Sequence, residues 1–220
     1  MQATNDDNSI MLIRAEPQSV EAENAQHEAL VALRGCKGEV VVFFHGAGVD
    51  HACGAAAGSW QRLAARGLRL EVCSAAWQRR HEGEPEAPFV LSSLVRFWHR
   101  VATGYRLVCH REAGRGSRQG ATWVIIVTAA PSEADSREIL ELVLAGASLE
   151  LPLAVIFRDR GCGQLVGEFA RGWRQLVDFD LASLYYTLCA EDFEPGIPAS
   201  PLDREQAGHL CNTARGVICP

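Results

Sequence analysis

The chain has 220 residues, of which 48% are hydrophobic and 22% charged, with a formal net charge of −6 and a pI of about 5.7. That is enough apolar material for two cores of roughly 100 residues each, and the negative balance argues against direct, tight binding to a phosphate backbone. Residues 1–9 lack the basic start and apolar core of a secretory signal. No uninterrupted apolar segment approaches the roughly 18–20 residues that span a bilayer, so a cytoplasmic protein with no membrane contact is expected.

In chain order, residues 10–13 read as a short strand and residues 20–33 as a helix stopped by Gly35. Val40-Val41-Val42-Phe43-Phe44 follows, a run whose β-branched and aromatic content suits a strand buried on both faces of a parallel sheet. A Gly/Ala-rich loop leads to a helix around residues 59–65. The apolar run Leu68-Arg69-Leu70-Glu71-Val72 ends at Cys73, and the helix-forming stretch Ser74-Ala75-Ala76-Trp77-Gln78-Arg79-Arg80 begins at once. Residues 89–102 have helical spacing, and residues 105–109 read as the last strand of an open α/β sheet.

The second half begins the same way, with strands at 122–127 and 153–157 around a helix at 136–145, and a later strand at 184–188 ending at Cys189. Laid side by side, Val40-Val41-Val42-Phe43-Phe44-His45-Gly46 matches Leu153-Ala154-Val155-Ile156-Phe157-Arg158-Asp159-Arg160-Gly161, Val72-Cys73-Ser74-Ala75 matches Leu188-Cys189-Ala190-Glu191, and Leu107-Val108-Cys109 matches Val217-Ile218-Cys219. The nearly constant offset implies two copies of one small domain, at residues 1–112 and 121–220. The basic, Gly-rich stretch from Arg111 to Arg118 falls in the linker region, and residues 113–120 read as a solvated connection.

Cys73 is the candidate reactive sulfur, against the alternative of a buried core cysteine that acts as a small hydrophobe. A thiol at a strand-to-helix junction sits near unpaired backbone N–H groups and the positive end of a helix dipole, which favour thiolate. Arg79 and Arg80 either lower the pKa of Cys73 or guide an acidic partner, or form a solvated helix face. After Cys189 the chain is acidic and broken by Pro195, and acidic neighbours raise a thiol pKa, so Cys189 is the weaker of the pair. The other six of the eight cysteines, Cys36, Cys53, Cys109, Cys162, Cys211 and Cys219, read as packing or incidental thiols, mostly reduced, with no C-x-x-C spacing for a zinc ribbon or a redox dithiol.

Two stretches carry a family resemblance: Phe43-Phe44-His45-Gly46-Ala47-Gly48-Val49, and Val72-Cys73-Ser74-Ala75-Ala76-Trp77-Gln78-Arg79-Arg80. They resemble the DsrE/TusD sulfur-relay proteins, and Phe89-Val90-Leu91-Ser92-Ser93-Leu94 is similar to that family's next helix. Ala47 stands where the family usually has an acidic residue. The second half is similar to the sister subunit, DsrF/TusC, in residues 124–127, in Leu153-Ala154-Val155-Ile156-Phe157 with Gly163-Gln164-Leu165, and in Gly216-Val217-Ile218.

The resemblance implies two tandem DsrE-like open, mostly parallel sheets flanked by helices. It implies a sulfurtransferase that holds sulfane sulfur as a persulfide on Cys73 and serves tRNA 2-thiouridine formation or dissimilatory sulfur oxidation. The partners implied are a TusA-like donor, a TusE/DsrC-like acceptor and a DsrH/TusB-like third subunit, within an oligomer. The alternative is a noncatalytic DsrE-fold scaffold that organises a relay complex.

No cofactor or metal is expected. His45, His51 and Cys53 lie close in sequence but lack a fourth ligand and a second shell for zinc. His45-Gly46-Ala47-Gly48 resembles a hydrolase oxyanion loop, yet the chain has no G-x-S-x-G elbow and no G-K-[ST]. Trp77 and Trp98 read as core residues rather than as a partner surface.

Overall fold

The computed structural model describes residues 8–108, 121–187 and 193–219, in two compact units, Met1–His110 and Arg111–Pro220. Residues 113–120, read above as the linker, and Cys109 and Cys189 lie outside the described residues.

The first unit runs β1 (Ser9–Ile13), α1 (Val20–Gly35), β2 (Val40–Phe44), a 3₁₀ segment Gly46–Ala52, α2 (Gly54–Ala64), β3 (Leu68–Cys73), α3 (Ser74–Arg80), β4 (Val90–Ser92), α4 (Leu94–Ala102) and β5 (Arg106–Val108). The second runs β6 (Trp123–Val127), α5 (Ala134–Ala147), β7 (Leu153–Phe157), a 3₁₀ segment Asp159–Leu165, α6 (Ala170–Asp178), β8 (Ala182–Thr187), β9 (Ser200–Leu202), α7 (Arg204–Thr213) and β10 (Gly216–Ile218). Each unit is a five-stranded, wholly parallel sheet flanked by helices, in the orders β4-β3-β2-β1-β5 and β9-β8-β7-β6-β10. These are one topology twice. No helix among the described residues is long and apolar enough to cross a membrane.

The central strands are buried from end to end, β2, β6 and β7 on every residue. Such strands need helices on both faces, and their Val, Ile and Phe side chains are the apolar area that offsets the entropy of ordering the chain. Phe44 meets the Trp60 ring edge-on at 5.1 Å and Phe157 meets Trp173 the same way at 4.8 Å, so each unit has the same aromatic pair under its 3₁₀ segment.

Two glycines are required by close approach. A Cβ on Gly48 would lie 2.3 Å from the Ile13 carbonyl oxygen, and one on Gly161 would lie 2.2 Å from that of Val127. Both sit four residues beyond the last residue of a central strand, where the 3₁₀ turn passes directly over the end of β1 or β6.

Two expectations need correction. Residues 89–102 are not one helix: Val90-Leu91-Ser92 form β4 beside β3, and α4 starts after Ser93, whose Oγ accepts the Arg96 N–H. The second is the counterpart of Cys73. Phe44 pairs with Val72, and Phe157 pairs with Tyr186. Cys73 pairs with Ser92, and Thr187 pairs with Leu202. Ladder register therefore makes Thr187, and not Cys189, the counterpart of Cys73. The other two matches, Phe44 with Phe157 and Leu107-Val108 with Val217-Ile218, agree with the register.

Candidate functional site

In open α/β sheets, function gathers at the carboxyl ends of the strands. Extending the ladder of the first sheet by one step past Ile13↔Phe44↔Val72 gives a row of four residues, Arg14, His45, Cys73 and Ser92. Residues at one register level of a parallel sheet project to the same face, with neighbouring strands about 4.8 Å apart. Contact bears this out for the first two, since the Arg14 Nε–H donates to His45 Nδ1 at 3.3 Å.

Cys73 ends β3 and is the N-cap of α3, with φ −59° and ψ 114°. It is buried, at 1% exposure. The helix that follows is short and basic at its end. Arg80 pairs with Asp50 at 3.6 Å, and His81 Nε2 lies 2.7 Å from the other oxygen of that carboxylate. Trp77 is buried, its ring stacked on His81 at 4.2 Å and its Nε1–H donating to the Gly83 carbonyl at 2.8 Å. Trp98 is fully buried, so both tryptophans belong to the core.

His45 is completely buried. Burial lowers its pKa well below the usual imidazole range, and the charges of Arg14, Arg79 and Arg80 act in the same direction. It is therefore neutral. The Arg14 Nε–H can only donate, which leaves Nδ1 as acceptor and puts the ring proton on Nε2. That Nε2 has no hydrogen-bond partner.

Comparison with known families meets this geometry. The model of the DsrE/DsrF-like family matches residues 8–109, from the strand that starts the first sheet to the strand that ends it. The first domain belongs to the DsrE/DsrF-like family. That family is associated with sulfur relay. No match was found among curated proteins.

In the DsrE/DsrF-like domain, His51 is a structural residue. Its Nδ1 accepts the Trp60 Nε1–H at 3.0 Å, so its Nε2 carries the proton and faces the Ala15 carbonyl at 3.2 Å. Both nitrogens are engaged, which removes His51 from any metal site with His45 and Cys53. The second unit builds the same bridge without an imidazole: Trp173 Nε1–H donates to Gln164 Oε1 at 3.0 Å, and Gln164 Nε2 donates to the Ala129 carbonyl at 2.7 Å. Nearby, burial raises the Cys53 thiol pKa, with Asp50 and Glu86 adding to it, so Cys53 is held as a thiol.

A prediction follows from this pair of bridges. His51→Gln should change stability by less than about 1 kcal/mol near pH 8, while His51→Leu should cost about 1–3 kcal/mol because it strands the Trp60 N–H. Burial lowers the pKa of His51, the Ala15 carbonyl and Asp50 opposing it. Below about pH 6.5 the unfolded chain binds protons that the folded domain refuses, so stability is full above that pH and declines as pH falls. His51→Gln should shallow that decline. Urea midpoints at pH 8 and pH 5.5 measure both, and equal pH losses in wild type and His51→Gln would overturn the assignment.

The matching row of the second unit is Thr128, Arg158, Thr187 and Leu202. It contains neither thiol nor imidazole. Cys162, in the 3₁₀ segment of that unit, was expected as a packing thiol. It is instead disulfide-bonded. Its sulfur lies 3.6 Å from the Phe157 oxygen and 3.8 Å from the Thr187 oxygen. Cys36, Cys53, Cys73, Cys211 and Cys219 are thiols outside any disulfide, and Cys211 packs in the core of the second unit.

The register row exposes what sequence reading missed. By sequence, His45 suggests a zinc ligand, an oxyanion loop or part of a family motif, and Arg14 suggests no role. The available signal was positional: each stands directly after an apolar run, as Cys73 does at the end of its own.

Proposed function

We propose that the protein is a sulfur carrier of an intracellular relay, holding sulfane sulfur as a persulfide on Cys73. The observation that carries this reading is the position of Cys73 at the carboxyl edge of the parallel sheet and the N-cap of α3, inside a DsrE/DsrF-like domain. The chemistry is thiol exchange. The Cys73 thiolate attacks the outer sulfur of a donor persulfide, a new S–S bond forms to Cys73, and the donor's S–S bond breaks with its electron pair leaving on the donor cysteine sulfur. An acceptor thiolate repeats the exchange, taking the outer sulfur and releasing the Cys73 thiolate. No net oxidation occurs in either step.

The burial of Cys73 gives the reading a physical requirement. A stored persulfide is shielded from water and stray thiols, and the site must open at the carboxyl edge when a partner docks. A TusA-like donor and a TusE/DsrC-like acceptor fit that chemistry, with a DsrH/TusB-like subunit as third member of an oligomer. The second unit, whose row lacks a thiol, serves as the DsrF/TusC-like half that completes the assembly. The relay feeds either tRNA thiolation or sulfur oxidation.

The test is peptide mass spectrometry on the reduced full chain after incubation with a cysteine desulfurase, a small sulfur-carrier protein and cysteine. One added sulfur on the Cys73 peptide is expected, lost in Cys73→Ser and retained in Cys189→Ser. No added sulfur on wild type, with a loading system proven on its own carrier, would sink the carrier reading and leave the scaffold alternative.

A further inference from the structure

His45 contains an unusual group for a protein interior: a neutral imidazole N–H, wholly buried, with nothing to donate to. Leaving such a donor unpaired costs about 1–3 kcal/mol, so an orphan of this kind calls for an explanation. The Arg14 bond to Nδ1 fixes the tautomer and the ring orientation, so the orphan is a donor. Continuing the ladder one step past Phe44↔Val72 sets Cys73 opposite His45 on β3, about 4.8 Å away across the sheet, where residues at one register level share a face.

With no hydrogen-bond partner at His45 Nε2, the resting Cys73 sulfur is not bonded to it. A persulfide differs from that thiol by one atom, placed about 2.05 Å further along the side chain. We propose that the Nε2–H of His45 holds the outer sulfur of the Cys73 persulfide, donating a hydrogen bond that exists only in the loaded protein. This rests on Cys73 carrying sulfur, and it assigns the loaded state a residue that distinguishes it from the empty one.

The chemistry suits the task. A persulfide anion is a soft, charged acceptor, and a neutral N–H stabilises it without giving up a proton, whereas an imidazolium could protonate the outer sulfur. Burial, reinforced by the charges of Arg14, Arg79 and Arg80, keeps the ring neutral. The row of the second unit places Arg158 where His45 stands and Thr187 where Cys73 stands, so it holds neither partner of this bond.

Loading with inorganic polysulfide tests this independently of any relay protein. Wild type, His45→Leu and His45→Gln are loaded and freed of excess reagent, and the decay of the added sulfur on the Cys73 peptide is followed in dilute cyanide. Glutamine keeps both an acceptor for Arg14 and a donor for sulfur. His45→Leu should lose sulfur at least about tenfold faster than wild type, the low end of a hydrogen bond to a charged group, and His45→Gln should restore most of the retention. Equal decay in all three, or no loading of wild type at all, overturns the proposal.

Should His45→Leu fail to fold, ¹⁵N-histidine spectra of wild type decide the matter. The His45 Nε2–H resonance should move downfield on loading, and an unchanged resonance overturns the proposal. Polysulfide retention that depends on His45, together with no sulfur taken from a desulfurase and carrier, would sustain the His45 assignment while the relay reading falls.

Discussion

Arg100→Leu is expected to destabilise the first domain by about 3 kcal/mol, the low end of the cost of breaking a buried ion pair. Arg100 sits on α4 and reaches down to Glu71 on β3, its two guanidinium nitrogens 2.5 and 2.7 Å from the two carboxylate oxygens. The pair is almost sealed from water, at 8% and 1% side-chain exposure. Arg69 Nε also donates to Glu71 at 2.8 Å, so the carboxylate left behind is not wholly abandoned, which is why the low end applies. Removing both partners together, as Glu71→Leu with Arg100→Leu, should recover most of the loss, because a buried pair replaced by apolar side chains need not cost stability.

Acid should reveal the same pair. Burial raises the Glu71 pKa, but the hydrogen bonds and charge of Arg100 and the charge of Arg69 outweigh it, and the net shift is downward. Its contribution is therefore complete above the unfolded pKa of about 4.3 and lost as pH falls through the lower folded value. The gap between wild type and Arg100→Leu should narrow below about pH 4. Hydrogen exchange by mass spectrometry on the full chain reads this domain by domain. A single variant as stable as wild type, or a double variant no better than the single one, would refute the account.

The second large effect is steric. Gly48→Ala and Gly161→Ala should each cost about 3 kcal/mol or more, at the severe end of overpacking, because the neighbour each methyl meets is backbone and cannot rotate away. The Gly48 methyl would also come within 3.1 Å of the Arg14 Cα, and that of Gly161 within 3.2 Å of the Thr128 Cα. The two variants should part company in function. Gly48→Ala pushes on the residue that holds His45 and should impair sulfur retention on Cys73, whereas Gly161→Ala should loosen exchange only in the second unit. Gly208→Ala in α7 serves as the opposite control, since nothing lies within 4 Å of its added carbon and helix propensity then stabilises by about 1 kcal/mol. Tolerance of both Gly48→Ala and Gly161→Ala at wild-type stability would show that the turns can relax.

Much of this architecture was legible in the chain because its central strands are unbroken runs. Val40-Val41-Val42-Phe43-Phe44 and Leu153-Ala154-Val155-Ile156-Phe157 admit few other readings. Edge strands were not legible. β4 and β9 have three residues each and are largely exposed or half-buried, too short for a period to register. In β4 the apolar spacing of α4 runs back to Phe89 and hides the break that Ser93 makes. The pairing of Cys73 with Cys189 rested on similar residue types. Ladder register corrects it, because only hydrogen-bonded strands count residues across a sheet. Cys73 itself was legible from its junction, but His45 and Arg14 join it only across strands, a relation that linear spacing does not express.

The tryptophan bridge, made once through an imidazole and once through an amide, has a consequence for how this chain can be interrogated. Each half is a built-in reference for the other. Where the halves agree, as at the two glycines and the two indoles, the molecule shows what the scaffold demands of any sequence that adopts it. Where they diverge, as at His45 against Arg158 and Cys73 against Thr187, the scaffold has released its claim and another pressure has chosen the residue. Exchanging residues between halves, one register level at a time, would separate architecture from chemistry within a single polypeptide.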